Sequence, residues 1–250
     1  MWVSDVYEGA PTYVSAVFSV LPKISIFTIL IRTIDASSSS IWFNLLCGLS
    51  FLSIFIGSLY AYGQLKIKRL LAFSGISHVG YALLGLSLGT FDSYIACNIY
   101  IIIYMFTALF LWGFTLAIEN KNGRTLYLTD CSIYGKTNLP LALTVILVVF
   151  SLAGIPPLAG FFAKFAVFLS CAEASLNLGL VVGLLTSAIG ILYYLRLVKL
   201  INFEEAKWSC PKPIKKVHAL AIGITSFFLI FFVFFGDLVM CISYKITYII

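Results

Sequence analysis

Three side chains that can take up and release a proton stand inside apolar stretches of the sequence. Lys23 follows Pro22 near the centre of the first stretch, His78 lies well inside the third, and Lys164 lies in a run of Phe and Ala. A charge at membrane depth is costly, and intramembrane ionisable residues commonly pair with one another or line proton and ion pathways. Histidine also titrates near neutral pH. These residue types therefore indicate proton transfer along a polar route.

The route is predicted most directly by residues 151–168, SLAGIPPLAGFFAKFAVF, which include Lys164. The Ile155-Pro156-Pro157 sequence removes two backbone donors and interrupts a helix that runs through it. An interrupted helix at membrane depth is tolerated where protein or a water-filled cavity satisfies the freed groups, and a buried ammonium needs the same surroundings. We therefore predict a discontinuous helix with Lys164 beside its break.

Each of these residues also has a purely structural interpretation. Lys23 could pair with a carboxylate on a neighbouring helix, and His78 could hydrogen-bond across the bundle without carrying protons. Glu173, nine residues after Lys164, could end a route to the outer surface or be an ordinary interfacial acid. The sequence places no carboxylate centrally in an apolar stretch, so we expect another polypeptide to supply the acid partner.

The elements that position these residues are predicted to be membrane-spanning helices. Of the 250 residues, 61% are hydrophobic and 10% charged, whereas about a quarter of a typical soluble domain is charged. A spanning helix needs about 20 apolar residues, and seven segments qualify: residues 12–33, 41–62, 67–88, 94–118, 139–172, 178–200 and 219–244. The prediction is an all-α polytopic membrane protein with one membrane domain, residues 1–250, and seven transmembrane helices, the fifth discontinuous at Ile155-Pro156-Pro157.

The formal net charge of +6 is distributed unevenly between the two predicted sides of the membrane. Alternate threading of the seven segments places twelve basic residues on the side of the N-terminus: Lys66, Lys68, Arg69, Lys121, Arg124, Lys136, Arg196, Lys199, Lys207, Lys212, Lys215 and Lys216. Arg32 and Lys245 fall on the other side. Because basic residues favour the inner side of a membrane, we expect the N-terminus inside, the C-terminus outside, and no nucleic-acid partner.

The cysteines predict no metal or cofactor site. The six residues are scattered singly, without the paired spacing of an iron–sulfur cluster or a zinc site: Cys47, Cys97, Cys131, Cys171, Cys210 and Cys241. We interpret them as core or lipid-facing residues and expect no cofactor on this chain.

Regions between and within the spans receive simple interpretations. Residues 1–11 are predicted to form a turn-rich connection, and residues 119–138 a solvated loop. Tyr100 and Tyr104 are expected in the core or against lipid, and the pair Tyr193-Tyr194 at an aromatic and basic inner border. The last span is expected to be one helix.

Four motifs, in this order, resemble the antiporter-like subunits of respiratory complex I. They are WVSDVYEGAP at residues 2–11, Lys23 within its span, QLKIKRLLAFSGISHVGY at residues 64–81, and SLAGIPPLAGFFAK at residues 151–164. The resemblance runs from Trp2 through the sixth span, and it is greatest to the NADH dehydrogenase subunit 2 group, which includes bacterial subunit N.

That family has a fourteen-helix fold built from two inverted repeats, each with a discontinuous helix. The resemblance implies that this chain corresponds to helices eight to fourteen, the second half of the antiporter-like fold. It also implies that Lys23 is the central lysine of helix eight and His78 the histidine of the central polar axis. Lys164 would be the lysine that leads to the outward half-channel.

The resemblance also implies partners and a location. The family's helix-five glutamate and helix-seven lysine precede the motif at Trp2, which implies a separate chain carrying helices one to seven. Further partners would be other membrane-arm subunits of complex I and lipid. The expected function is proton translocation by a non-redox subunit of NADH:ubiquinone oxidoreductase. Its expected location is the mitochondrial inner membrane, with the N-terminus in the matrix and the C-terminus in the intermembrane space.

Two other functions are compatible with the same residues. A subunit of a multi-subunit cation/proton antiporter would use the buried lysines without a redox partner, and co-purification with flavin and iron–sulfur subunits would separate it from the first function. A structural remnant would have lost transport altogether, and an unchanged proton-to-electron stoichiometry after Lys164→Met would support it.

Overall fold

The protein folds into a bundle of helices. The computed structural model describes residues 2–37, 40–118, 127–203 and 216–249, and every regular element in these ranges is helical, which confirms the all-α prediction. The helices are α1 (Trp2–Gly9), α2 (Thr12–Ser37), α3 (Ser40–Tyr62), α4 (Ile67–Leu86), α5 (Phe91–Ile118), α6 (Ser132–Thr137), α7 (Leu139–Ala153), α8 (Ala159–Glu173), α9 (Asn177–Phe203), α10 (Lys216–Ile230) and α11 (Phe232–Ile249).

Five of the described helices are long and apolar enough to cross a membrane: α2, α3, α4, α5 and α9. The pair of α10 and α11 makes a sixth span if it counts as one bent helix. α7 is apolar but only 15 residues long, so a seventh span requires α7 and α8 to be joined. The chain is therefore a multi-pass membrane protein, and the count of seven spans stays a prediction.

The helix that carries His78, α4, lies at the centre of the bundle. Of its spanning residues, 78% are buried, whereas the buried share is 28–50% in each of the other four spans. Glycines let α3 approach it closely: a Cβ atom on Gly80 of α4 would lie 2.3 Å from Ser53 Oγ, and one on Gly57 of α3 would lie 2.6 Å from Ser77 N. Small residues allow such close approach of helix backbones in lipid, so α3 and α4 pack as a tight pair.

The N-terminal connection contains a helix, α1, so the prediction of a turn-rich segment was wrong there. Arg69 Nη2 donates to Asp5 Oδ1 at 2.9 Å, and Glu8 accepts hydrogen bonds from both Lys66 and Arg69. The hydrogen bond from Lys66, with the contacts of Arg69, holds the pKa of the Glu8 carboxyl below its usual value. These ion pairs fix α1 across the beginning of α4 and supply tertiary stability that a short helix lacks alone.

Part of the predicted solvated loop is folded against the bundle. Leu128–Cys131 forms a 3-10 turn that leads into α6. Cys131 and Tyr134 are buried, and Tyr134 Oη donates to Ala117 O at 2.9 Å. The prediction was therefore wrong for this part, because apolar side chains and a buried hydroxyl hold it to the helices. Three charged residues assigned to the same loop lie outside the described residues: Glu119, Lys121 and Arg124.

The last predicted span is not one continuous helix. α10 and α11 meet at Phe231 with a bend of 86°. Aromatic contacts hold the chain on either side of the bend: Phe228 stacks on Phe106 of α5 with ring centroids 4.1 Å apart, and Phe232 contacts Phe162 of α8 at 5.7 Å. The bend between α10 and α11 therefore lies between two aromatic contacts with neighbouring helices.

Several residues of the predicted basic side meet at one end of the bundle. Lys66 forms an isolated backbone bridge with Tyr127, and Arg196 Nη1 donates to Tyr62 O at 3.4 Å. The ends of α3 and α9 therefore lie beside the beginning of α4. Three further basic residues and one cysteine assigned to this side or its loops lie outside the described residues: Lys207, Lys212, Lys215 and Cys210.

The described cysteines are all free. Cys97, Cys131 and Cys171 are buried, Cys47 is half-buried and Cys241 is exposed. These positions agree with their interpretation as core or lipid-facing residues.

Candidate functional site

The junction between α7 and α8 is held by backbone groups and small residues. α7 ends at Ala153, and Gly154 follows with φ +91°, in the left-handed region that favours glycine. The N–H groups of Gly154 and Ile155 both donate to Phe150 O at 3.1 Å. At the beginning of α8, the N–H of Gly160 donates to Ser151 Oγ at 2.9 Å. The polar backbone groups freed by the break are therefore partly satisfied within the protein.

Lys164 of α8 turns back onto the end of α7. Its side chain is buried, and Nζ donates to Ala153 O at 2.9 Å. The last carbonyls of a helix have no partner within the helix and carry partial negative charge. A Cβ atom on Gly154 would lie 3.1 Å from Lys164 Cδ, so this glycine leaves the room that the lysine occupies. The ammonium group thus interacts favourably with the C-terminal end of α7.

Lys23 of α2 reaches a tyrosine on α5. Its Nζ donates to Tyr104 Oη at 2.6 Å, and the lysine side chain is half-buried. Gly75 of α4 lies beside this contact, because a Cβ atom there would be 2.9 Å from Tyr104 Oη and 3.1 Å from Lys23 Nζ. The absence of a side chain at Gly75 is what allows the two groups to meet next to α4.

His78 is buried between two tyrosine hydroxyls. Nδ1 lies 2.8 Å from Tyr100 Oη on α5, and Nε2 lies 3.0 Å from Tyr194 Oη on α9. A neutral imidazole has one donor and one acceptor nitrogen, so one tyrosine donates to the ring while the other accepts from it. The arrangement is a hydrogen-bonded chain that joins α5, α4 and α9.

A further tyrosine lies one turn along α4, beside Lys164. Tyr81 Oη is 3.0 Å from Thr186 Oγ1, and it donates to Gly183 O at 3.2 Å. The Lys164 ammonium lies 5.6 Å from the centroid of the Tyr81 ring, within the distance at which an aromatic face attracts a cation. Tyr81 therefore connects the surroundings of Lys164 to α9.

Small cavities surround His78. One is also lined by Lys23, Tyr100 and Tyr104, and another by Tyr104 and Lys164. In each cavity, the centre of a water-sized sphere can occupy a volume of about 10 Å³. By the same measure one water requires roughly 10–15 Å³, so each cavity is close to the size of a single water. The three residues singled out from the sequence therefore converge on adjoining spaces with His78 in the middle.

Lys23 and Lys164 have neutral partners in the described part of the chain. Lys23 contacts a phenol and Lys164 a backbone carbonyl, and within the described ranges neither forms an ion pair. The ion pairs recorded there lie between α1 and the beginning of α4. No carboxylate of the described residues therefore pairs with either lysine.

The tyrosines of the site were not predicted as polar partners. Tyr100 is buried as one alternative expected, but it hydrogen-bonds to His78 rather than packing as a plain aromatic ring. Tyr194 is buried at 2% exposure and bonded to His78, whereas the prediction gave it only a position at an inner border. Spacing gave a partial signal, since Tyr100 and Tyr104 are four residues apart and share a helix face, and Tyr81 is three residues after His78. The contact between Tyr194 of α9 and His78 depends on tertiary packing, so spacing in the sequence did not predict it.

The fold and this site define a class: a multi-pass helical membrane protein with ionisable side chains held in its interior. The chain belongs to the NADH:quinone oxidoreductase/Mrp antiporter transmembrane family, whose model matches residues 1–190. This match confirms the resemblance predicted from the motifs.

Two named relatives show the extent of the similarity. The chain is 39% identical over 249 residues to NADH-ubiquinone oxidoreductase chain 2 of Marchantia polymorpha, covering 99% of this chain and 50% of the relative. It is 37% identical over 235 residues to NADH-quinone oxidoreductase subunit N of Parvibaculum lavamentivorans, covering 93% and 49%. The chain thus spans about half the length of these relatives.

Solved structures share the fold. A chain of respiratory complex I from Thermus thermophilus with bound aureothin superimposes with a TM-score of 0.83 at 28% identity, covering 96% of this chain and 53% of that one. A chain of the Mrp complex from Dietzia sp. superimposes with a TM-score of 0.87 at 22% identity, covering 98% and 55%. At 22% identity the second likeness concerns the fold alone.

Proposed function

We propose that this chain is a non-redox, proton-translocating component of the membrane arm of an NADH:ubiquinone oxidoreductase. The observation that carries the proposal is the convergence of Lys23, His78 and Lys164 on adjoining cavities inside a fold of this family. The names of the relatives at 37–39% identity favour this enzyme over others with the same fold.

Protons would move along the buried residues in sequence. Lys23 would take up a proton, transfer it through the hydrogen-bonded groups around His78, and Lys164 would release it towards the outer side. Each step moves one proton from a donor to a neutral acceptor, so the donor returns to the neutral state that receives the next proton. The chain supplies no redox centre in this proposal, and the driving force comes from charge movements in neighbouring subunits.

A carboxylate partner for the lysines would come from the half of the family's fold that this chain does not match. The half-length match and the neutral partners of Lys23 and Lys164 support this assignment. We propose a separate chain carrying helices one to seven, packed beside other membrane-arm subunits. An acid that approached Lys23 would stabilise its ammonium form, and its withdrawal would favour release of the proton.

The proposed topology follows from the same family fold. α7 and α8 would form one discontinuous span, interrupted at residues 154–158, and α10 with α11 one bent span, which gives seven. The basic residues gathered at the beginning of α4 support an inner position for this end of the bundle. The protein would lie in the mitochondrial inner membrane with the N-terminus in the matrix and the C-terminus in the intermembrane space.

Replacing each buried lysine tests the proposed function. Lys23→Met and Lys164→Met remove the titrating group but keep most of the side-chain length. In the assembled enzyme reconstituted into vesicles, we expect both variants to lower the number of protons moved per electron while NADH:ubiquinone electron transfer continues. Lys199→Met, at an exposed lysine of α9, is the matched control and should keep the parent ratio. A parent ratio in both buried variants would refute proton transfer by this chain.

A cation/proton antiporter is the alternative function, and the observation in its favour is that the matching family includes Mrp antiporter subunits. An antiporter would work without a redox partner. Purification of this chain under mild conditions, followed by mass spectrometry, should recover flavin and iron–sulfur subunits if it belongs to the oxidoreductase. Recovery of antiporter subunits alone would favour the alternative.

A further inference from the structure

We propose that Tyr104 is a proton relay that connects Lys23 to the cavity shared by His78 and Lys164. This inference rests on the proposed function, because it assigns a path between two of its proton-transfer residues. It adds Tyr104 of α5, a residue that the proposed function does not include, to the transfer path.

The first observation is the direction of the hydrogen bond between Lys23 and Tyr104. An ammonium group has three donors and no acceptor, so Lys23 Nζ donates and Tyr104 Oη accepts, at 2.6 Å. The hydroxyl hydrogen of Tyr104 is therefore free to point elsewhere. Among the described residues no acceptor is found for it, and the Tyr104 side chain is half-buried.

The second observation is the position of Tyr104 between the cavities. It borders the cavity that Lys23 shares with His78, the cavity that His78 shares with Lys164, and a third that contains His78 and Tyr194. The ring of Tyr104 also lies 5.4 Å from the His78 ring, measured between centroids. A water in the cavity beside Lys164 would therefore border Tyr104, whose hydroxyl is bonded to Lys23.

These positions allow a proton shift in which the tyrosine remains neutral. Lys23 gives one proton from its ammonium group to Tyr104 Oη, and in the same step the Tyr104 hydroxyl gives its own proton to a water in the cavity. Lys23 becomes a neutral amine, Tyr104 is again a phenol, and the water carries the positive charge on towards Lys164. Rotation of the hydroxyl restores the starting arrangement for the next proton.

The third observation is that the chain leaves space for this contact at Gly75. A Cβ atom at that position would lie 2.9 Å from Tyr104 Oη and 3.1 Å from Lys23 Nζ, which is too close for both groups to stay in place. An alanine there would displace the hydroxyl or the ammonium group without changing the chemistry of either. Gly75 therefore offers a second way to interrupt the relay.

The principal experiment is Tyr104→Phe in the assembled enzyme, with protons moved per electron measured in vesicles. Loss of the hydroxyl should lower the ratio to the value of Lys23→Met, and the double variant should fall no further because both changes interrupt one path. Tyr134→Phe is the matched control: this buried tyrosine also uses its hydroxyl in a hydrogen bond, but it lies away from the cavities and should keep the parent ratio.

The outcomes separate the relay from the proposed function. A parent ratio in Tyr104→Phe together with a lowered ratio in Lys23→Met would overturn the relay and leave the function intact. A parent ratio in all three variants, Lys23→Met, Lys164→Met and Tyr104→Phe, would overturn the function itself.

Two further variants distinguish relay from positioning and guard against a folding defect. Tyr104→Gln keeps an acceptor for Lys23 but has no readily transferred proton, so the ratio should stay low, and recovery would reduce Tyr104 to a positioning residue and overturn the relay. If Tyr104→Phe prevents assembly, Gly75→Ala replaces it, with a lowered ratio expected at normal assembly. A parent ratio in Gly75→Ala would overturn the proposal.

Discussion

At the scale of single residues, the site is built from neutral hydrogen-bond partners around side chains that can bind a proton. A phenol accepts from Lys23, a helix carbonyl accepts from Lys164, and two phenols bracket His78. Each of these partners can bind either protonation state of its neighbour, whereas a fixed carboxylate would hold the ammonium form. The choice of partner therefore keeps proton release possible at membrane depth.

The two hydroxyls at His78 lead to a prediction about stability and transport. His78→Phe leaves Tyr100 Oη and Tyr194 Oη without the imidazole, and a buried polar group that loses its partner costs about 1–3 kcal/mol. We expect the variant to lower both the temperature at which the purified complex dissociates and the protons moved per electron. His218→Phe, at the half-buried histidine of α10, is the control with the same chemical change. Equal melting temperatures for the two variants would contradict the prediction.

At the scale of elements, the tightest approach at a glycine is the one between α7 and α8. A Cβ atom on Gly160 would lie 1.8 Å from Ser151 O, which is far inside van der Waals contact. The glycine therefore fixes how closely the beginning of α8 approaches the end of α7. This approach also sets the position from which Lys164 reaches Ala153 O.

Gly160→Ala is predicted to disrupt this junction. The backbone must move to admit the methyl group, at a cost of about 1–3 kcal/mol or more, and Lys164 would lose its contact with α7. We expect reduced accumulation of the chain in the assembled complex, measured by quantitative mass spectrometry. Gly48→Ala on α3, where a Cβ atom meets nothing within 4 Å, should accumulate normally. Normal accumulation of Gly160→Ala would show that the junction tolerates a wider separation.

The attachment of α1 to α4 predicts a pH dependence. The pKa of Glu8 is lowered by its contacts with Lys66 and Arg69, so the ionised form binds the helix pair more tightly than the protonated form. The stabilisation is fully present above the unfolded pKa of about 4.3 and is lost as the pH falls through the lower folded value. Hydrogen–deuterium exchange of α1, corrected for intrinsic rates, should therefore accelerate on acidification below about pH 4.

Glu8→Gln is the matched variant for this measurement. It should weaken the attachment of α1 by roughly 1 kcal/mol at neutral pH, since partly exposed ion pairs contribute little more. Its corrected exchange should not show the acid-dependent step of the parent. An identical pH profile in parent and variant would assign the step to another group.

How much of the molecule could be predicted differs from element to element. Hydropathy was sufficient for α2 to α5 and α9, because each contains enough consecutive apolar residues to span a bilayer. It failed for α1, whose stability depends on Lys66 and Arg69 about 60 positions away. It also failed for the bend at Phe231, where neither proline nor glycine marks the change of direction and packing against α5 and α8 accompanies it.

The site shows the same division. Lys23, His78 and Lys164 could be singled out because ionisable residues are rare at membrane depth. The convergence of these residues, and the part of Tyr104 and Tyr194 in it, could not be predicted, because it requires knowing which faces of five helices meet. These contacts between helix faces are a property of the tertiary packing and cannot be inferred from a single sequence.

At the scale of the whole molecule, the chain matches about half of a larger fold and has an exposed first span. Only 28% of the spanning residues of α2 are buried, and this helix carries Lys23. We expect the half of the fold that supplies the acid to lie beside α2. Mass spectrometry of the assembly should find a second short hydrophobic chain with a mid-membrane Glu and Lys, cross-linked to α2. An assembly without such a chain would contradict the proposed partner.

The neutral character of the interior partners has an electrical consequence. In the described part of the chain, the proposed path between Lys23 and Lys164 contains no negative group, so each proton on it would be an uncompensated charge in a medium of low dielectric constant. Two such charges would repel each other far more strongly there than in water. Occupancy of the proposed path would therefore be self-limiting: the entry of a second proton would be opposed until the first had left or a counter-charge had arrived.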